Sequence, residues 1–275
     1  MVDNTNKVAL VTGASSGMGM DFVESLLKEG MIVYAAARRM ERMDKLREMG
    51  AHVLKMDITK DTDVRAAITS IEVKHGGVDV LVNNAGFGLY GSMEETSMED
   101  ARYQFEVNFF GLARLTQLVL PYMRKQRSGK IINISSVGGK IYTPLGSWYH
   151  ATKHALEGWS DCLRLEVSQF GIDVVIIEPG GIATEFADVM SENMTKRSGD
   201  GPYSHMVKGY LKMFESFGSK MLSKPKVITE LILKAVRSGR PKTRYYAGRG
   251  AFTLFFLRRL LCDRLFDRVA MSLVR

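Results

Sequence analysis

The sequence predicts an α/β fold: a doubly wound parallel β-sheet with helices on both faces, in a single domain. Short apolar runs bounded by polar residues and glycine alternate along the chain with longer segments of helical spacing. That is the pattern of βαβ units with right-handed crossovers. A length of 275 residues, 45% of them hydrophobic and 25% charged with only 6 prolines, suits one large folded domain and excludes a disordered chain.

Residues 7–12 (KVALVT) are a run of the length expected for a strand buried on both faces. Residues 20–29 place Phe22, Val23, Leu26 and Leu27 at helical spacing, and Gly30 ends the helix. Further strands are predicted at 32–37, 53–57, 78–83, 130–135 and 173–178, with helices at 62–75, 98–125, 147–170 and 227–238. Only residues 185–224 break the rhythm. They form an insertion after a strand's C-terminal end, where open α/β sheets bind ligands.

The formal net charge of +8 is concentrated at one end. From Arg240 onward nine basic and two acidic residues give +7, which leaves +1 for the preceding 239 residues. A nucleic-acid binder puts its charge on the folded domain, and no nucleic-acid motif is present, so that class is not expected. No apolar run approaches the ~18 residues of a membrane-spanning helix. The first ten residues (MVDNTNKVAL) do not read as a secretory signal. Cys162 and Cys262 make neither a disulfide framework nor a metal cluster, so no metal is expected and a reducing, cytoplasmic compartment is.

The turn after the first strand reads Thr12-Gly13-Ala14-Ser15-Ser16-Gly17-Met18-Gly19 and opens a helix. Glycines permit a tight turn and a close approach of backbone to a pyrophosphate, and the helix N-terminus offers free N–H groups to the anion. Dinucleotide binding is expected there. The second strand ends Ala37-Arg38-Arg39, with Arg38 nineteen residues after Gly19 and no carboxylate at that place. A carboxylate there would hold a ribose 2′-OH, whereas a guanidinium grips a 2′-phosphate, so NADP is expected over NAD. The competing reading makes Arg38 and Arg39 a solvated charge pair.

Tyr149 and Lys153 stand four residues apart on a predicted helix and therefore share a face. A phenol is too weak an acid to serve a carbonyl at neutral pH unless it is tuned. An ammonium at ~4 Å and an effective dielectric of ~20 stabilises phenolate by up to ~4 kcal/mol, which would lower the phenol by as much as ~3 pH units. Alone, the pair is a common surface arrangement. Ser136 lies thirteen residues before Tyr149 at a strand end, where its hydroxyl is suited to hold a substrate oxygen. Ser135 is its rival, and either hydroxyl would also serve to satisfy backbone.

Together, TGASSGMG, Asn83-Asn84-Ala85-Gly86, Asn108, the serine before Tyr149, YHATK and Pro179-Gly180 with Thr184 resemble the short-chain dehydrogenase/reductase family. The resemblance covers about residues 5–239, and its details are most similar to the branch of hydroxysteroid and retinol dehydrogenases. It implies a Rossmann-type catalytic domain at 1–239; within it the residues themselves mark 185–224 as a substrate lid, and beyond it 240–275 as a basic, partly helical extension. It implies a catalytic set of Ser136, Tyr149 and Lys153, with Asn108 supporting a proton relay through water. It implies an NADP site at Gly13, Ser15, Ser16, Gly17, Met18, Gly19 and Arg38, with Asp57 at the adenine. Asn84, Ala85 and Gly86 would line the cofactor, and Pro179, Gly180, Ile182 and Thr184 would hold its nicotinamide end. Tyr149 and Lys153 belong to that site as well, Lys153 through the nicotinamide ribose. A homodimer or homotetramer is implied, with the two long helices as contacts.

Five of the 17 methionines (Met190, Met194, Met206, Met213, Met221) fall within 185–224. Met206, Tyr210, Phe214, Phe217 and Met221 recur at three or four, one helical face that serves either as a flexible apolar lid or as core. Phe87, Tyr142, Leu145, Trp148, Phe186 and Met190 are expected to add to an apolar pocket. The expected reaction interconverts an alcohol and a lipophilic ketone or aldehyde of steroid, retinoid or fatty type. The alternative is a silent NADP-binding sensor or scaffold. The tail is expected to pack over the domain or at an interface. The other reading, a peripheral contact with an anionic membrane, is disfavoured because Asp263 and Asp267 dilute its basic face.

Overall fold

Seven parallel strands form one sheet in the order β3-β2-β1-β4-β5-β6-β7. They are β1 (Val8–Thr12), β2 (Ile32–Ala37), β3 (His52–Lys55), β4 (Val80–Asn83), β5 (Gly129–Ile134), β6 (Ile172–Pro179) and β7 (Arg244–Ala247). The computed structural model describes residues 4–217, 222–272 and 274. Met221 of the apolar face, the side chain of Phe217 and Arg275 of the tail lie outside the described residues.

Alternation along the strands divides the core into two layers. Ala9, Val11, Val33, Val80 and Val82 face helices α1 (Gly17–Lys28) and α9 (Lys226–Arg237), meeting Phe22, Leu26, Ile228 and Ile232. Leu10, Leu81 and Ile131 face the other way, toward α3 (Asp61–His75), α5 (Gly111–Gln126) and α6 (Ser147–Val167). A sheet covered on both faces buries every side chain of its inner strands, which is why β1 and β4 read as unbroken apolar runs. Strand order reverses between β1 and β4, and the crevice beyond their C-terminal ends is the natural ligand site of such a sheet.

Three features depart from the expected elements. The helix expected over 98–125 is interrupted: α4 (Met98–Phe105) and α5 are joined by a π-helical turn, Glu106–Phe110. The sheet does not stop before residue 240, because β7 pairs in parallel with β6 inside the segment assigned to the tail. Its four residues (RYYA) are too short and too polar to register as an apolar run. A short α2 (Asp44–Glu48), not expected from the sequence, follows β2, whereas the insertion is helical as the spacing on its apolar face predicts, with α7 (Phe186–Ser198) and α8 (Ser204–Phe217). The tail forms α10 (Ala251–Leu260) and α11 (Asp263–Ser272). Phe266 and Ala270 of α11 pack with Leu254, Leu257 and Leu261 against Ile141 and Tyr142. Among the described residues no helix is long and apolar enough to cross a membrane.

Leu81 is fully buried at the centre of the sheet. Leu81→Ala should cost about 2–5 kcal/mol of unfolding free energy, read as a lower urea midpoint at unchanged slope.

Candidate active site

The glycine turn is folded tightly against the end of β4. Gly13 has φ +66°, and a Cβ there would stand 2.9 Å from the Ala85 Cα. A Cβ on Gly19 would stand 2.3 Å from the Gly13 carbonyl oxygen, so neither place admits a larger residue. The Thr12 hydroxyl accepts from the N–H groups of Asn84 and Ala85, both at 3.0 Å, and the Asn84 amide donates back to the Thr12 carbonyl at 2.9 Å. Helix α1 starts from this turn without a side-chain cap from Ser16 and without an acidic residue in its first turn. Its N-terminal N–H groups and positive dipole end are thus left for an anion.

Arg39, rather than Arg38, lies over the turn. Its Nε donates to the Ser15 hydroxyl at 3.4 Å and its Nη2 to the Ser16 hydroxyl at 3.1 Å. Arg38 points the other way and donates to the Tyr103 hydroxyl at 2.8 Å. Asp57 follows β3, its carboxylate accepting from the N–H and hydroxyl of Thr59 at 3.1 and 2.8 Å. An uncapped helix N-terminus, a close glycine turn and a guanidinium across two hydroxyls fit a dinucleotide diphosphate with a further anionic group. Among the described residues no three His, Cys, Asp or Glu side chains are placed to hold a metal ion.

Helix α6 carries Tyr149 and Lys153 into the protein, one turn apart and both buried. The Lys153 ammonium donates to the Ile134 carbonyl at 2.8 Å and lies 6.0 Å from the centre of the Tyr149 ring. Ser136 begins a short 3₁₀ turn, its hydroxyl accepting from the Gly138 N–H at 3.0 Å. Burial pushes the Tyr149 phenol up to about 12, and only a hydrogen bond with Ser136 opposes it. Burial lowers Lys153 to about 8, with Glu157 opposing. The expected lowering of the phenol by its lysine neighbour is therefore not what this structure holds: desolvation is the larger effect, and the Ser136 hydroxyl, not the lysine, is what opposes it. Tyr149 rather than Lys153 is the group that stays protonated well above neutral pH.

Asn108 sits fully buried on the π turn. Its amide donates to the Phe87 carbonyl at 2.9 Å and the Thr152 hydroxyl at 3.2 Å, and its oxygen accepts from the Phe87 N–H at 3.0 Å. Behind Tyr149, His150 is held neutral: burial lowers it to about 4. The Thr143 N–H donates to its Nε2 at 3.1 Å, which leaves the ring proton on Nδ1 for the Gly138 carbonyl at 2.9 Å.

These groups meet at a cavity of about 230 Å³. Of the residues expected at the site, Met18, Asn84, Gly86, Phe87, Ser136, Tyr149, Lys153, Pro179, Gly180, Ile182, Thr184, Phe186 and Met190 line it. Ser135 lines it too, and its buried hydroxyl has no hydrogen-bond partner among the described residues. Tyr142, Leu145 and Trp148 are not in its wall. Tyr142 donates to Asp267 at 3.0 Å and packs on Phe266, which makes it part of the seat of α11. Leu145 packs with Tyr90 and Tyr149 on the far side of the phenol ring. Trp148 precedes Tyr149 by one residue, a step of about 100° around a helix, so the two cannot share a face. Of the apolar face on α8, Phe214 reaches the cavity, whereas Met206 and Tyr210 pack beneath it with Tyr90 and Met190. Ile134, Gly181, Ala187 and Leu222 complete the wall.

The family model for short chain dehydrogenases matches residues 7–195. The chain belongs to the short-chain dehydrogenase/reductase family. It is similar to a 3-ketodihydrosphingosine reductase of Bacteroides thetaiotaomicron, 40% identical over 211 residues, 76% of either chain. It is also similar to a probable short-chain type dehydrogenase/reductase, VdlC, of Helicobacter pylori, 33% identical over 260 residues that cover 94% of this chain and 95% of that one. An actinorhodin polyketide ketoreductase variant, solved with NADPH, superposes with a TM-score of 0.78 at 29% identity, covering 91% of this chain and 99% of that one. The protein is thus an oxidoreductase of the short-chain dehydrogenase/reductase family with that family's Rossmann-type sheet. Phe214 and Leu222 of the cavity wall, and strand β7, lie beyond the residues that the family model matches.

Because Lys153 falls from 10.5 in an open chain to about 8 in the fold, between those values the unfolded chain binds the extra proton and rising pH stabilises the protein. The penalty is fully present below pH 8 and is relieved toward pH 10.5, by about 3 kcal/mol. In urea titrations across that range, wild type should gain this stability relative to Lys153→Met.

Proposed function

We propose that this protein is an NADP(H)-dependent reductase of lipophilic ketones or aldehydes, with Tyr149 as the proton donor. The observation that carries the proposal is the convergence of Ser136, Tyr149 and Lys153 on one wall of an apolar cavity that opens beside the glycine turn. When bound, the nicotinamide supplies the hydride. Tyr149 gives its proton to the carbonyl oxygen, and a phenol held near 12 is fully protonated at neutral pH, which suits the reductive direction. Ser136, which lines the cavity with Tyr149, is placed to hold that oxygen. The Lys153 cation stabilises phenolate as the proton leaves, so the donor becomes more acidic as transfer proceeds. Asn108 fixes the Phe87 backbone at the cavity wall and is suited to hold a water behind Lys153 for reprotonation.

Arg39 and the Ser15 and Ser16 hydroxyls offer a hydrogen-bonding cradle for the 2′-phosphate of NADP, with Arg38 beside it. Two observations support a bulky apolar substrate. Phe87, Ile134, Ile182, Phe186, Met190 and Phe214 line the cavity, and among the described residues Lys153 is its one charged side chain. The relative named for 3-ketodihydrosphingosine points in the same direction, toward a long-chain keto lipid. A homo-oligomer in the cytoplasm, in contact through the two long helical segments, α4 to α5 and α6, belongs to this reading, and exposed Met98 and Phe110 on the first of them suit a subunit contact.

Tyr149→Phe should lower kcat with a long-chain ketone by about 10²–10⁴-fold. NADPH binding, read by nucleotide fluorescence, should stay within twofold; a variant that turns over normally would remove Tyr149 from the chemistry. Arg39→Asp should weaken NADPH far more than NADH in the same titration, and by more than Arg38→Asp does. Equal losses for the two nucleotides would place the 2′-phosphate elsewhere.

A further inference from the structure

Helix α10 is apolar on both sides. Leu254 and Leu257, with Leu261 just beyond, pack inward on Ile141 and Phe266. On the outer side Phe252 is 65% exposed, Phe256 53% and Leu260 63%. These three recur at every fourth residue and so form one stripe, and the first two rings stack at 6.1 Å. Phe255 continues the patch toward exposed Tyr246, its ring 5.4 Å away edge-on. A helix that is apolar all round is expected to be buried all round, yet this one is covered on one side only.

Charge decides what covers the other side. Arg259, three residues beyond Phe256, borders the stripe, and Arg249, just before the helix, is exposed, as are Arg264 and Arg268 of α11. The two acids of this region are engaged with the protein: Asp263 pairs with Arg258 at 2.9 Å, and Asp267 accepts from the Tyr142 hydroxyl at 3.0 Å. They face Arg258 and Tyr142 rather than Arg249 or Arg259. A second copy of the chain docked through the same patch would set these arginines against their equivalents. A surface of lipid phosphates complements them, and aromatic rings flanked by arginine are the composition that settles at a headgroup boundary.

We propose that α10 docks on an anionic lipid bilayer, with Phe252, Phe256 and Leu260 entering the headgroup boundary and Arg249 and Arg259 meeting lipid phosphates. The contact is peripheral. It also starts at the wall of the cavity: a Cβ on Gly180 would stand 2.5 Å from the Arg249 carbonyl oxygen and 3.1 Å from the Ala251 nitrogen, and Gly180 lines the cavity. A docked α10 therefore sets that wall beside the lipid. The docking itself does not rest on the proposed reaction.

The test is co-sedimentation of the full chain with phosphatidylcholine vesicles, with and without phosphatidylglycerol, at low and high salt, alongside sedimentation velocity without lipid. Wild type should pellet only with the anionic vesicles and be released by salt. Arg259→Gln should weaken the partition about fivefold. A triple variant, F252S/F256S/L260S, with the wild-type circular dichroism spectrum, should not pellet. Equal pelleting with neutral and anionic vesicles, or retention of binding by both variants, would overturn the proposal. So would a wild type that stays in the supernatant while the triple variant sediments as a smaller oligomer, since the stripe would then be a subunit interface.

Discussion

The ammonium of Lys153 is kept inside the protein by the Ile134 carbonyl at 2.8 Å and by the charge of Glu157, one helical turn further along α6. An ion taken out of water loses several kcal/mol of hydration, and this environment returns only part of it, as the depressed Lys153 proton affinity records. Glu157 is itself buried and needs partners. Lys140 meets it at 2.9 Å and Arg244 at 3.2 Å, while Arg244 also reaches Asp161 at 2.5 Å and Glu178 at 3.6 Å. Glu178 is raised by burial and by the neighbouring Glu157 charge, so it carries a proton more readily than an exposed carboxylate. A chain of charges thus runs from the cavity to the outer edge of the sheet. Arg244 is the first residue of β7, which is why that short strand matters to the site although no residue of it lines the cavity.

The opposite wall depends on a local fault in a helix. An i→i+5 turn at Glu106–Phe110 gives up regular α-helical geometry between α4 and α5. In exchange, the Asn108 side chain faces inward with every polar atom paired, across to Phe87 on one side and to Thr152 of α6 on the other. Gln104, one turn earlier, also donates to the Phe87 carbonyl, at 3.0 Å. One helix therefore fixes the Phe87 backbone by three hydrogen bonds and joins it to the helix that carries Tyr149. Such a turn inserts a single residue, too little to alter the apolar periodicity, and for that reason the segment reads as one uninterrupted helix.

The parts of the site legible in the sequence are those whose requirement is local. A glycine turn needs its glycines wherever it occurs, and two side chains four apart share a helical face in any surroundings. Legibility fails where tertiary packing chooses. Arg38 and Arg39 follow the same strand on opposite faces, and only the position of α1 and Tyr103 decides which of them crosses the glycine turn. Tyr142 and Trp148 are close to Tyr149 along the chain, but a loop and a helical step turn their side chains away from the cavity. The sign of the Tyr149 shift could not be read either. Spacing reveals the neighbouring charge, whereas the larger effect, burial, comes from Tyr90, Leu145 and Phe186, which arrive from three other segments.

At Glu185 the anionic and apolar ends of the site meet. Its carboxylate faces Arg42 at 2.8 Å and Arg39 at 3.5 Å, the same guanidinium that spans Ser15 and Ser16. The next residue, Phe186, begins α7 and lines the cavity, as do Ala187 and Met190 after it. Both ion pairs are about half exposed, so each contributes only ~0–1 kcal/mol, too little to hold the fold together. Their place matters more than their strength. A phosphate at Ser15 and Ser16 carries more charge than a carboxylate and would draw Arg39 toward itself, and the loss of that partner falls at the N-terminus of the helix that walls the apolar side. Arg42, the nearer partner at 2.8 Å, keeps Glu185 in an ion pair even so, and the glycine-turn end and the apolar end of the groove thus adjoin at one carboxylate.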